Sequence, residues 1–166
     1  MDKTSKRVST PYDDLTYKII GCAMAVHRNL EPGYREDTYQ RDLEVYLKES
    51  HVAFEAQKLY EVFDSLDNEE LIGYYIPDFI VVESVVVEIK ALSRLDNSHL
   101  AQVIGYLKVT GFKVGLLINF GERSLKYRGV FPPENVTEHR VNRQLLFVPP
   151  WLKRDKEDLP TDSGNG

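Results

Sequence analysis

Asp78, Glu88 and Lys90 are the residues of this 166-residue chain whose types and spacing bear most directly on chemistry. They stand in the run Pro77-Asp78-Phe79-Ile80-Val81-Val82-Glu83-Ser84-Val85-Val86-Val87-Glu88-Ile89-Lys90. Val85, Val87 and Ile89 alternate on one strand face, so Val86, Glu88 and Lys90 share the other. A two-residue loop at Glu83-Ser84 would pair Phe79 with Glu88 and send Asp78 to the opposite face. A three-residue loop, at 82–84 or 83–85, sets Asp78 across from Glu88 or Lys90 on the same face. In that second register the two carboxylates repel unless a proton or a cation lies between them. Hard oxygen donors of this kind suit Mg²⁺ or Mn²⁺, and such an ion polarises a phosphoryl oxygen and acidifies a bound water. Lys90 would then orient that water or neutralise developing charge. An ordinary ion pair on a solvated strand face is the simpler account of Glu-x-Lys taken alone. The function therefore hangs on the register.

Two helical features add to this segment. Glu36 lies in Gly33-Tyr34-Arg35-Glu36-Asp37-Thr38-Tyr39, in the first turn of a helix, where a carboxylate also serves the helix dipole. His99, Gln102 and Tyr106 fall at i, i+3 and i+7 on one helix face, with Leu100, Val103, Ile104 and Leu107 on the other. That polar stripe suits hydrogen bonds to phosphate oxygens or stacking on a base. A solvated helix face explains it equally simply.

The elements that would position these residues follow from periodicity. Leu15, Ile19, Ala23, Val26 and Leu30 predict an amphipathic helix over 12–30, stopped by Glu31-Pro32-Gly33. A second helix is predicted over 34–50, burying Tyr39, Leu43, Tyr46 and Leu47. Phe54 to Phe63 and Leu71 to Val82 read as strands joined by a polar connection, and Val85 to Lys90 as a third. A third helix is expected over 96–110, capped by Asp96 or Asn97 and closed by Gly111. Lys113 to Phe120 is an almost continuous apolar strand of the kind buried on both faces, and Tyr127 to Phe131 a last strand. Beyond Pro132-Pro133 the pattern weakens. Leu145 to Val148 and Trp151 are expected to pack back on the body or to serve a contact between copies, and 153–166 to form a mobile tail. The reading is one α/β domain over 1–131 with a C-terminal extension over 132–166. Cys22 reads as a small core residue and His27 as a local hydrogen-bonding group; neither His27 nor His51 has a metal-ligand partner at a suitable spacing.

Composition sets the outer limits. With 42% hydrophobic and 28% charged residues the chain is of the soluble globular class. No apolar run approaches the roughly 20 residues of a membrane span. The polar start Met1-Asp2-Lys3-Thr4-Ser5-Lys6-Arg7 has no secretory pattern, so a cytoplasmic location is expected. A single cysteine excludes an internal disulfide, a cysteine-rich zinc site and a four-cysteine iron–sulfur cluster. The net charge of -5 disfavours a polyanionic partner, but it is unevenly spread. Residues 31–70 carry twelve acidic against four basic side chains. Residues 91–131 carry Arg94, Lys108, Lys113, Arg123, Lys126 and Arg128 against Asp96 and Glu122. The second stretch suits phosphates, and solvated faces of mixed sign fit the same numbers.

Gly33-x-x-Glu36-x-x-Tyr39, then Asp78, Glu88-x-Lys90 and Gln102-x-x-x-Tyr106, followed by Leu116-Leu117-Ile118-Asn119-Phe120-Gly121, resembles the GxxExxY protein family of the PD-(D/E)XK nuclease superfamily. The resemblance spans residues 12–131. The approach Val26 to Gly33 also resembles the family's, with Glu31 where a glycine is common. What the resemblance implies is a restriction-endonuclease-like core, a mixed sheet flanked by helices. It also implies a metal site of Asp78, Glu88 and the Ile89 backbone carbonyl, with Glu36 completing the acidic cluster directly, through water or through a second ion. Lys90 would position the attacking water. Gln102 and Tyr106 would stand near the scissile phosphate, with His99 and Arg94 as further substrate contacts. The implied activity is Mg²⁺- or Mn²⁺-dependent hydrolysis of nucleic acid, DNA favoured over RNA, and a homodimer is compatible with it. Two other classes stay open: a binding module that kept the fold without turnover, and a hydrolase of small phosphate esters, which would need a closed pocket.

Overall fold

The computed structural model describes residues 10–64, 66–67, 69–133 and 141–144. Helices α1 (Asp13–Leu30) and α2 (Glu36–Glu49) come first, then strands β1 (Phe54–Ala56), β2 (Leu59–Phe63), β3 (Leu71–Tyr75), β4 (Phe79–Val81) and β5 (Val85–Lys90). Helix α3 (Asn97–Thr110) leads to β6 (Val114–Asn119), β7 (Lys126–Val130) and β8 (Val141–Gln144). A five-stranded mixed sheet runs β1-β4-β5-β6-β7, with only the β5–β6 pair parallel. A second, antiparallel sheet runs β3-β2-β8.

The central sheet separates two apolar layers. Ile19, Ala23 and Val26 of α1 and Tyr39, Leu43 and Leu47 of α2 pack on Phe79, Val81, Val85, Val87, Ile89, Leu116 and Ile118. On the other face Val103, Tyr106 and Leu107 of α3, with Tyr60, Val62 and Tyr75 of the small sheet, cover Ile80, Val86, Leu117 and Val130. Both faces of β6 are thus covered, and all six of its residues are buried, as its continuous apolar run requires. α3 starts at a capping box in which the Asp96 side chain accepts from the helix backbone while His99 accepts from the Asp96 N–H, and ends on Gly111 in the left-handed region.

The two long strands predicted over 54–63 and 71–82 are each broken. Phe54–Ala56 pairs with Phe79–Val81 in the central sheet, whereas Leu59–Phe63 pairs with Leu71–Tyr75 in the small one. The register from Phe54↔Val81 through Ala56↔Phe79 to Tyr60↔Tyr75 is unchanged across the gap, and the Gln57 N–H donates to the Asp78 carbonyl at 3.1 Å. One antiparallel ribbon therefore bends between the sheets. Two residues account for the bend: Pro77 has no N–H for the ladder, and Gln57 takes a φ of 53°. Propensity alone showed two continuous β-forming runs and no corner.

β8 lies inside the stretch where the sequence pattern weakens, and it joins the small sheet as the neighbour of β2. The contacts expected of Leu145 to Val148 and Trp151, and the tail 153–166, lie outside the described residues. His27 differs from its expected local role. Its Nε2 meets the Glu122 carbonyl at 2.8 Å, fastening the end of α1 to the turn after β6. Cys22 is a buried core residue, as expected.

Candidate active site

Val81 pairs with Val85, Ile80 with Val86 and Phe79 with Val87, so the β4–β5 loop is the three-residue one at 82–84. Continued by one residue, the register sets Asp78 opposite Glu88. Burial selects it: Phe79, Val81, Val85, Val87 and Ile89 all enter the α1–α2 core together, whereas a one-residue slip would move Phe79 to the face of Glu88. The loop is strained for its sequence, since Val82 and Glu83 have φ of 50° and 52°.

Asp78 and Glu88 are each only 1% exposed. The Ile89 N–H donates to Oδ2 of Asp78 at 2.7 Å, fixing that carboxylate against β5. The Tyr75 hydroxyl donates to Oε1 of Glu88 at 3.4 Å. The Tyr75 ring stacks on Tyr106 with centroids 3.9 Å apart, and the Tyr106 hydroxyl accepts from Nε2 of Gln102 at 3.1 Å. Burial first, then the charge of Glu88, pushes the Tyr75 hydroxyl well above its ordinary pKa, so it remains a donor.

The neighbourhood of Lys90 is built from backbone. Lys90 is half-buried at the end of β5, beside Asn119 of β6, and its carbonyl accepts from the Phe120 N–H at 2.8 Å. Asn119, fully buried, accepts from the Leu92 N–H and donates to the Leu92 carbonyl, both at 2.9 Å. This clip holds the chain that leaves Lys90. Gly121 sits against the same segment so closely that a Cβ there would lie 2.3 Å from the Leu92 carbonyl oxygen.

Glu36 opens α2, half-buried, in the layer on the other side of the sheet from Asp78 and Glu88. Among the described residues no three His, Cys, Asp or Glu side chains come together as a metal-binding group. One helical turn on from Glu36, Gln40 is 3% exposed and accepts from the Gln57 side chain at 3.0 Å. The α2 face that carries Glu36 therefore abuts the ribbon corner where Asp78 stands. Tyr39 of the same motif is structural. Its hydroxyl donates to the Glu31 carbonyl at 2.6 Å, and its ring stacks on Phe120 at 4.9 Å.

The α3 stripe divides. Tyr106, 5% exposed, belongs to the core rather than to an open base-stacking face. Gln102 is half-buried beside it, and Nδ1 of His99 is taken up by the cap. Arg94 is exposed in the loop between Lys90 and α3. Lys108, Lys113, Arg123, Lys126 and Arg128 are exposed as well. Pairing puts Lys126 level with Lys90 and Arg128 level with Glu88, two strands or roughly 10 Å across the sheet. A separate apolar groove between α1 and the β6–β7 edge, lined by Tyr17, Ile20, Met24, Leu116, Tyr127 and Phe131, contains none of the predicted site residues.

Sequence reasoning missed Tyr75, Gln40 and Gln57, and quoted Asn119 in the family pattern without giving it a role. Gln40 had a signal, four residues after Glu36 on the same helix face. Tyr75 had a weaker one, three residues before Asp78. Gln57 and Asn119 work through contacts that no spacing announces.

Two acidic side chains set opposite each other by the register, with the Ile89 backbone bonded to Asp78, offer hard oxygen donors. That chemistry fits a small divalent cation that keeps part of its water shell. No described helix is long and apolar enough to cross a membrane. A family model for the PD-(D/E)XK nuclease superfamily matches residues 13–130. No curated protein and no solved structure matches the chain significantly.

Proposed function

The chain belongs to the PD-(D/E)XK nuclease superfamily, and from that premise we propose that it is a divalent-metal-dependent nuclease hydrolysing nucleic-acid phosphodiesters, DNA in preference to RNA. The five-stranded mixed sheet flanked by helices is the restriction-endonuclease-like architecture. The observation that carries the reading is the three-residue β4–β5 loop, which sets Asp78 opposite Glu88 with Lys90 on the same face. The GxxExxY branch is the finer assignment, supported by Glu36, Tyr39, Gln102 and Tyr106 at the motif positions.

In this reading Asp78, Glu88 and the Ile89 carbonyl hold Mg²⁺ or Mn²⁺, which when bound supplies Lewis-acid polarisation and a water of lowered pKa. Asp78 is kept in place by the Ile89 N–H. Lys90, anchored through its carbonyl to Phe120, orients the attacking water and offsets charge on the phosphate. Gln102 offers its amide to the phosphate, while Tyr106 orients Gln102. Glu36 acts from the α2 side through an intervening water. Arg94 and the exposed Lys126 and Arg128 meet flanking phosphates.

A non-catalytic nucleic-acid-binding module is the competing reading, favoured by the burial of both carboxylates. Cleavage of labelled single-stranded, double-stranded and flapped DNA, and of RNA, in Mg²⁺, Mn²⁺ or EDTA separates the two. Metal-dependent cutting that Asp78→Ala and Lys90→Ala both lose is the expected result. A folded wild type that binds DNA yet cuts nothing in either metal would favour the binding module.

A further inference from the structure

We propose that Tyr75, which lies outside every motif quoted above, is a positioning residue of the acidic site: its hydroxyl fixes the orientation of the Glu88 carboxylate toward the cation. This rests on the metal-site reading and extends it to a residue outside the hairpin that carries the acids. A carboxylate buried at 1% exposure has to be oriented by the protein, because water is not there to do it. Tyr75 is equally buried, and its hydroxyl lies 3.4 Å from Oε1 of Glu88, a long hydrogen bond.

The position of the ring is itself determined. It is stacked on Tyr106 at 3.9 Å and tilted against Tyr60 at 6.3 Å. β2 and β3 hold it in the small sheet through the pair Tyr60↔Tyr75. Asp78, three residues further along the ribbon, is oriented by a different donor, the Ile89 N–H. Each carboxylate thus has its own orienting group, one from β5 and one from β3. Groups that hydrogen-bond a metal ligand typically change metal affinity by 10–100-fold when removed.

Tyr75→Phe keeps the ring, its stacking and its volume, and removes only the hydroxyl. The expected result is a Mn²⁺ dissociation constant, read by electron paramagnetic resonance of free Mn²⁺, raised about tenfold or more. The thermal midpoint in EDTA should remain within a few degrees of wild type. An unchanged or tighter Mn²⁺ constant in the folded variant would overturn the assignment. A variant that no longer folds would do the same, since the hydroxyl would then serve stability. Asp78→Ala is the control for the underlying reading. If wild type and Asp78→Ala bind Mn²⁺ alike, the metal site itself is misplaced and the role of Tyr75 falls with it.

Discussion

Replacing Gly121 by alanine should damage both stability and the site, although Gly121 carries no functional group. A Cβ there would stand 2.3 Å from the Leu92 carbonyl oxygen, 2.4 Å from its nitrogen and 2.6 Å from the Ala91 carbonyl carbon. All three are backbone atoms, so no side chain can swing aside. Ordinary contact begins near 3.4 Å, and the two segments would have to part by about 1 Å. That motion acts on the Asn119–Leu92 clip, two hydrogen bonds of 2.9 Å to a fully buried amide. Losing both costs about 2 kcal/mol, and the overpacking adds about 1–3 kcal/mol. The total, about 3–5 kcal/mol, should appear as a lower urea midpoint with unchanged slope. Under conditions where the variant is still folded, Lys90, two residues before Leu92, would be displaced, and a misplacement of about 1 Å is worth on the order of 100-fold in rate. Gly105→Ala is the matching control. Nothing lies within 4 Å of its Cβ position in the middle of α3, so it should stabilise by about 0.5–1 kcal/mol. Gly121→Ala within 0.5 kcal/mol of wild type, or Gly105→Ala as harmful as Gly121→Ala, would refute the reasoning.

Glu31 ends α1 at φ 56° and ψ 172°, a region that is almost glycine's alone. Glu31→Gly should therefore raise stability by about 1 kcal/mol in chemical denaturation. Val82→Asn should do the same on a similar scale, because a β-branched residue at φ 50° is replaced by one that tolerates it. Asp78→Asn should stabilise the protein in EDTA by on the order of 1 kcal/mol by removing one of two facing carboxylates, while abolishing metal-dependent cleavage; a loss of stability in EDTA would argue against repulsion. The Ser98 hydroxyl and N–H hold the Asp96 carboxyl below its ordinary pKa. Its contribution is present above the unfolded value and lost as pH falls through the lowered folded one. Amide exchange at the start of α3 should accelerate in that acid window, and Asp96→Asn, a cap that does not titrate, should remove the acid dependence.

Much of this was legible in the sequence, and for identifiable reasons. α1, α2 and α3 follow from apolar spacing, and the start and end of α3 from Asp96 and Gly111. β6 follows from an apolar run too continuous for a one-sided strand. The acids could be named, but their juxtaposition depended on a loop length that two residues at positive φ determine, and nothing in Val82-Glu83 suggests positive φ. The ribbon corner was hidden because Phe54 to Phe63 has uniform β propensity, and the break comes from Gln57 and from Pro77 on the partner strand. The layer that carries Glu36 was hidden for a related reason. Spacing ranks residues along a helix face but does not reveal which side of a sheet that helix will cover.

The bend in the ribbon has a mechanical consequence. Asp78 stands at its elbow, with β1–β4 in the central sheet and β2–β3 in the small sheet that covers the central sheet's α3 face. Both sides of the elbow grip β5, Asp78 through the Ile89 N–H and Tyr75 through Glu88. Because Tyr60, Val62 and Tyr75 pack with Ile80 and Val86, a shift of the β2–β3 ribbon against the central sheet would act on both acids together.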